Sequence, residues 1–273
     1  MKPALSQVCS LAGPFEKDVA DYAAGRCEAI ELWFGKLEGY LDRHSPADVR
    51  RMLDDAGMTA PVASFQGGLL VSQGDARREH WQHFERRLVL CQELRVRTLV
   101  VAGDLQVPIE QPDLERAVIS LRQAAERAVE HDVRIALEFQ CRATFANNLQ
   151  TAAALIDEIA HPALGLCLDA YHYYCGPSKL EDLGAVPPGK LFHVQLCDLA
   201  GQPRELATDS DRVLPGDGDF LLEPLVEAIA GLGYDGHVSV ETMNPQIWAI
   251  PARQFGEVAM TALRKILGLA SMT

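Results

Sequence analysis

Arg134–Phe139, RIALEF, and Leu164–His172, LGLCLDAYH, are the stretches whose reading decides the fold. Each is a short apolar, β-rich run that stops at a carboxylate, Glu138 in one and Asp169 in the other. A segment of helical period lies between them, and a strand, a helix and a further strand in that order make a parallel βα unit. The same alternation extends outward in both directions. Expected strands are Ser6–Leu11, Ala29–Trp33, Ala60–Phe65, Thr98–Ala102, Arg134–Glu138, Leu164–Leu168, Leu191–Leu196 and Val238–Glu241. Each is followed by a segment of helical period.

Two of those segments carry clear stripes. His80–Leu94 places Trp81, Phe84, Leu88 and Cys91 on one face, which predicts a helix with Arg86 and Arg87 facing solvent. Asp113 is positioned to cap a helix running to about Glu130, with Leu114, Val118, Leu121, Ala125 and Val129 on its apolar face. Linkers are short and punctuated by Gly67-Gly68, Pro187-Pro188-Gly189 and Pro215-Gly216-Asp217-Gly218, the last read as a turn into a helix near Asp219. A chain of 273 residues matches the roughly 250 that eight such units need. The expectation is an α/β protein, a single (β/α)8 TIM barrel spanning residues 1–273.

An apolar fraction of 48% and a charged fraction of 23% suit a globular protein and argue against disorder. The formal charge of -13 opposes nucleic acid, whose binders gain affinity by neutralising phosphates with Lys and Arg. Seven cysteines are spread singly with no C-x-x-C pair and read as reduced core residues, which points to a cytoplasmic protein. The N-terminus lacks the sustained apolar region of a secretory signal, and no run approaches the 18 or so apolar residues of a membrane span.

The chemistry is read from the strand ends. Strands five and six stop at Glu138 and Asp169, strand seven carries Gln195 near its end, and strand eight ends at Glu241. A buried charge is costly without a partner, and the C-terminal ends of barrel strands converge on the mouth where catalysis occurs. One strand-terminal acid can cap the next helix or pair with an arginine; four oxygen donors on successive strands point to a shared site. Convergent carboxylates repel unless a cation or proton lies between them. Three carboxylates and an amide suit one divalent metal ion, with Mn2+ or Mg2+ favoured by the oxygen donors and Co2+ or Zn2+ also compatible.

The segments IALEF, LCLDAYH, FHVQLCD, RVLPGDGDF and GYDGHVSVET resemble the xylose-isomerase-like barrel superfamily, whose members include sugar epimerases, hydroxypyruvate isomerase, inosose dehydratase and 3-dehydroshikimate dehydratase. The resemblance runs along almost the whole chain and is strongest from Ile135 onward. It implies that Glu138, Asp169, Gln195 and Glu241 are metal ligands. It also implies that His172, Arg212 and Asn147 lie at the substrate, and His193 beside it, more as a supporting residue than as a ligand. Many epimerases have H-x-H on strand seven; His193-Val194-Gln195 is closer to the H-x-Q of hydroxypyruvate isomerases and dehydroshikimate dehydratases. Glu31 fits a family position at the barrel mouth, and a structural ion pair fits it equally. Superfamily endonucleases need several zinc ions and further histidines that this chain lacks.

A cation holding a carbonyl and an adjacent hydroxyl oxygen makes the proton between them removable near neutral pH. Glu138 and Glu241, on strands separated by two others, are the expected base and acid. The expected function is a divalent-metal-dependent isomerase or epimerase of a small sugar or keto-sugar. The alternative is a lyase of the dehydroshikimate- or inosose-dehydratase kind, or one that eliminates from a 3-keto-glycoside. FQCRATF, residues 139–145, does not reproduce the residues expected after the first metal glutamate in dehydroshikimate dehydratases. Expected partners are a small carbohydrate-like molecule, with no nucleic acid and no membrane. Barrels of this kind often pair through their outer helices, so a homo-oligomer is left open.

Overall fold

A computed structural model describes residues 1–106 and 108–269. Eight parallel strands close into a barrel: β1 (Lys2–Ser6), β2 (Ala29–Trp33), β3 (Thr59–Gln66), β4 (Thr98–Ala102), β5 (Arg134–Glu138), β6 (Leu164–Asp169), β7 (Leu191–Leu196) and, after a small hairpin of β8 (Asp198–Leu199) and β9 (Arg212–Val213), β10 (His237–Val240). Closure is made by β1 against β10, with Lys2 level with His237 and Leu5 with Val240. The helices are α1 (Phe15–Ala24), α2 (Phe34–Leu41), α3 (Pro46–Asp55), α4 (Gly74–Leu94), α5 (Gln111–Val129), α6 (Leu149–Ile159), α7 (Ala170–Cys175), α8 (Leu222–Gly231), α9 (Pro245–Trp248) and α10 (Ala252–Ile266). Among the described residues no helix is long and apolar enough to cross a membrane.

Two apolar layers hold the fold. One lies between strands and helices, where Phe84 and Leu88 of α4 are fully buried and each contributes roughly 1.5–3 kcal/mol. The other fills the barrel with Val62, Val100, Ala136, Cys167 and Phe192. Side chains alternate along a strand, so the inward position two residues above this layer reaches the rim. On β5 that residue is Glu138, above Ala136, and on β6 it is Asp169, above Cys167.

Several sequence expectations are corrected. The first strand is Lys2–Ser6 rather than Ser6–Leu11, because Gln7–Ser10 turn over the rim as a 3-10 helix with Ser6 Oγ accepting the Val8 N–H. Helix α4 starts at Gly74, earlier than its apolar stripe begins, and Arg87 is buried against Glu38 instead of facing water. Helix α5 starts at Gln111, with Asp113 one turn inside accepting the Glu110 N–H, and Val129 is half exposed. Helix α8 starts at Leu222, not near Asp219, because the Asp219 and Phe220 N–H groups are bound by Leu199 and Asp198. Glu241 lies one residue past the end of β10.

Candidate active site

The sequence ends the apolar runs of β5, β6 and β10 at an acid, and the barrel brings these three acids together. Glu138, Asp169 and Glu241 each offer an oxygen, and these atoms all lie within 4.8 Å of one another. The loop after β7 returns over them. Its β8–β9 hairpin pairs Leu199 with Arg212, and the Asp198 carboxylate accepts the Gly216 and Phe220 N–H groups, which ties down the PGDGD segment. Asn244 holds the Arg212 carbonyl from the other side.

Thus anchored, Arg212 is almost wholly buried and divides its guanidinium among three carboxylates. Nη1 donates to Asp169 at 2.7 Å and to Glu241 at 3.0 Å, while Nη2 and Nε donate to Asp209 at 2.7 and 3.0 Å. The Tyr171 ring stacks 4.5 Å from its central carbon. Burial pushes the Asp169 carboxyl up, but Arg212 outweighs it and holds the group down at about 2. Burial drives Glu138 well above the usual carboxylate range, and the negative charge of Asp169 adds to it. Glu241 is raised in the same direction by burial and by its acidic neighbours, against the pull of Arg212. One guanidinium does not compensate three convergent carboxyls.

That excess of negative charge, together with an all-oxygen carboxylate set, fits a divalent cation. Gln195 lies beside the set, but its Nε2 donates to Glu31 and Glu241, both at 2.9 Å, and its Oε1 accepts from the Cys167 thiol. A ligand role for Gln195 needs its amide turned over, which exchanges the two atoms. Beneath it, His193 Nε2 lies 2.8 Å from Glu31 and 3.3 Å from Ser239 Oγ. Burial works against the charge of Glu31, and His193 beside it holds its carboxyl below the usual range.

A cavity of about 290 Å³ opens onto this cluster and is lined in part by Glu138, Gln195, Glu241, His172 and Arg212. His172 takes the Cys141 N–H at Nδ1, which leaves Nε2 as the protonated nitrogen, 3.9 Å from Glu138. Burial depresses His172 to about 4. Two residues expected at the substrate lie elsewhere. His193 is enclosed within the barrel under Gln195, and Asn147 bonds its neighbour Asn148; neither lines the cavity.

Other lining residues escape a reading of the sequence. Gln140 donates to Glu138 Oε2 at 2.8 Å, two residues along the chain from it. Asp104 follows the apolar run TLVVAG of β4, the same signal that marks the other acids, displaced past the strand end by Gly103. Asp209 is held by Arg212 and carries no strand signal. Trp33 and Phe65 stack with ring centres 4.3 Å apart at the cavity edge.

The family described as xylose isomerase-like TIM barrel matches residues 20–265. A 3-dehydroshikimate dehydratase of Pseudomonas putida is 29% identical across 97% of this chain, which takes in 41% of that protein. The chain thus spans about two fifths of the length of such dehydratases. An inosose isomerase of Bacillus subtilis is 27% identical over 63% of each chain. Among solved structures, the IolI protein with a zinc atom bound has a TM-score of 0.92 at 23% identity, with 98% of both chains covered.

Proposed function

The chain belongs to the xylose isomerase-like TIM barrel family, and from that premise we propose that it is a divalent-metal-dependent isomerase or epimerase of a small sugar or keto-sugar, acting by proton removal beside a carbonyl. The observation that carries this reading is the triad of Glu138, Asp169 and Glu241, whose oxygens lie within 4.8 Å of one another, with Glu138 and Glu241 lining a small cavity.

Glu138, Asp169 and Glu241, with Gln195 turned to offer its oxygen, would hold the cation. Their oxygen donors favour Mn2+ or Mg2+, while the zinc in the IolI structure keeps Zn2+ in view. A bound cation would supply the positive charge that stabilises negative charge developing on a substrate carbonyl oxygen. The protein supplies the rest. Arg212 fixes the Asp169 and Glu241 carboxylates from one side. Gln140 fixes one oxygen of Glu138, leaving the other directed toward His172. Glu138 and Glu241 then serve as the pair that takes a proton from one position and returns it to another, and His172 offers a neutral N–H to a substrate oxygen.

Loss of a β-hydroxyl after the same deprotonation would make the protein a lyase, a second reading favoured by its similarity to dehydratases across 97% of the chain. One experiment separates the two. Metal-loaded protein is incubated in D2O with ketoses, keto-inositols and 3-dehydroshikimate, and products are followed by NMR and mass. An isomerase gives carbon-bound deuterium with composition otherwise unchanged; a lyase gives a product lighter by one water. Glu241→Gln is expected to slow exchange by about 10²-fold or more. Absence of exchange and of dehydration with every compound, or an undiminished rate in Glu241→Gln, overturns the proposal.

A further inference from the structure

We infer that Arg87, which lies outside the cavity, is a positioning residue for the site: braced on Glu38, it holds Phe65 so that Phe65 and Trp33 together form an apolar plate for the carbon face of the substrate. The inference rests on the enolising role proposed above and adds to it a residue that the cavity does not contain.

The conformation of Phe65 is what needs holding. Between Ala63 and Gln66 the pairing of β3 with β4 shifts register, and Phe65 sits in that irregularity with φ +82°. A bulky side chain rarely takes up the left-handed region, and it stays there only where its surroundings hold it. Irregularities of this kind re-aim a side chain, and they gather beside active sites. Here the ring, more than half exposed, is aimed onto Trp33 of β2, with ring centres 4.3 Å apart. Trp33 and Phe65 are the largest apolar side chains among the described residues that line the cavity. The faces of such rings are where the C–H groups of a polyhydroxy compound pack.

Arg87 supplies the hold. Almost wholly buried on α4, it donates Nε and Nη2 to the two oxygens of Glu38 at 2.8 and 2.9 Å, a fork that fixes the plane of the guanidinium. Nη1 is thereby directed at β3, where it donates to the Phe65 carbonyl and, at 3.3 Å, to Gln66 Oε1. The buried Phe34 ring stacks 4.5 Å from the central carbon. Glu38 and Phe34 belong to α2, which begins at the residue after Trp33. One guanidinium thus joins the helix that continues from Trp33 to the carbonyl of Phe65. The fork to Glu38 is enough to tie α4 to α2; the remaining nitrogen goes to the one residue of β3 in the left-handed region.

The test is a double-mutant cycle of Arg87→Met and Phe65→Ala in protein with excess Mn2+, read by deuterium uptake into whichever ketone of the panel above exchanges fastest. Each single variant is expected to raise KM about five- to tenfold while kcat stays within about twofold. The double variant should be no worse than either, because Arg87 acts through Phe65. A residue that serves stability alone would leave KM unchanged, and its effect would multiply with that of Phe65→Ala. Arg87→Lys, with a single nitrogen to divide between Glu38 and the Phe65 carbonyl, replaces Arg87→Met if that protein does not fold, and the same rise in KM is expected. The inference is overturned if either single variant keeps the wild-type KM or if the two effects multiply. Should no ketone take up deuterium, the enolising reading falls by itself, and crystals of the Arg87 variant decide this inference: a Phe65 ring moved off Trp33 supports it, and a ring left in place overturns it.

Discussion

Arg212 heads the largest fully buried side chains among the described residues, and its position explains how Asp169 and Glu241 lie side by side at the rim. Removing one partner of a buried ion cluster leaves the others uncompensated. Arg212→Met is therefore expected to lose about 3–5 kcal/mol in urea unfolding with chelator present. Saturating divalent cation should return part of it, up to about 4 kcal/mol at a thousand times Kd. Equal stability of the two proteins in chelator would mean that Asp169 and Glu241 do not rely on Arg212. His237, at the opposite end of the barrel, gives a pH prediction. Burial, aided by Lys2 and His193, depresses it to about 4, below the value of about 6.5 that it takes when unfolded. The unfolded chain therefore takes up the proton first, so this stabilisation is complete above pH 6.5 and is lost as pH falls toward 4. Allowing for its partial exposure, it amounts to about 1–2 kcal/mol. His237→Gln should flatten the stability difference between pH 7 and pH 4.5 by that amount, and an unchanged slope would contradict the assignment. Glu138, Asp169 and Glu241 are legible in the sequence because each ends an apolar run. The orientation of Gln195 is not, since it depends on Glu31 and Cys167, which the chain brings in from β2 and β6.

At the scale of elements, strand interiors are more legible than strand ends. An apolar run marks a strand interior, but a strand stops where hydrogen bonding stops, and that depends on neighbours distant in sequence. Ser6, level with Glu31 of β2, is where β1 ends and the Gln7–Ser10 turn begins, and Gln7 then reaches across to the Trp33 N–H. Arg87 shows the same limit for helices. Its position off the main apolar stripe of α4 reads as solvent-facing, yet Glu38 of α2 and the Phe65 carbonyl of β3 meet it. The β4 exit carries a sharper consequence. A Cβ on Gly103 would come to 2.8 Å from the Glu138 carbonyl oxygen, closer than side-chain carbons approach backbone. Gly103→Ala should thus push apart the β4 and β5 ends, costing about 1–3 kcal/mol and displacing Glu138, with a drop in deuterium exchange larger than stability alone explains. Wild-type stability and exchange in that variant would show that the contact relaxes without moving the site.

For the molecule as a whole, the alternation of strand and helix points to a parallel sheet, and the length of eight such units with the resemblance of the strand-end motifs points to the closed eight-stranded barrel that the structure has. The order of the acids along the chain also predicts their convergence: Glu138, Asp169 and Glu241 come from strand ends far apart in sequence yet share one rim. Sequence alone does not show the cover over that rim. The β8–β9 hairpin, Asp198 and the loops carrying Asp104 and Asp209 have no periodic signal, although Asp104 and Asp209 line the cavity. The family relatives, which include dehydratases and inosose isomerases, share the barrel and differ in the reactions named for them, consistent with a common floor and divergent loops. The proposed function needs a cation held on that floor. Isothermal titration of dialysed protein with Mn2+, Mg2+, Co2+ and Zn2+ tests it directly: one ion per chain is expected to bind with at least one of these metals, and binding is expected to be lost when Asp169→Asn and Glu241→Gln are combined. A protein that takes up none of the four, or a double variant that binds as the wild type does, would contradict it.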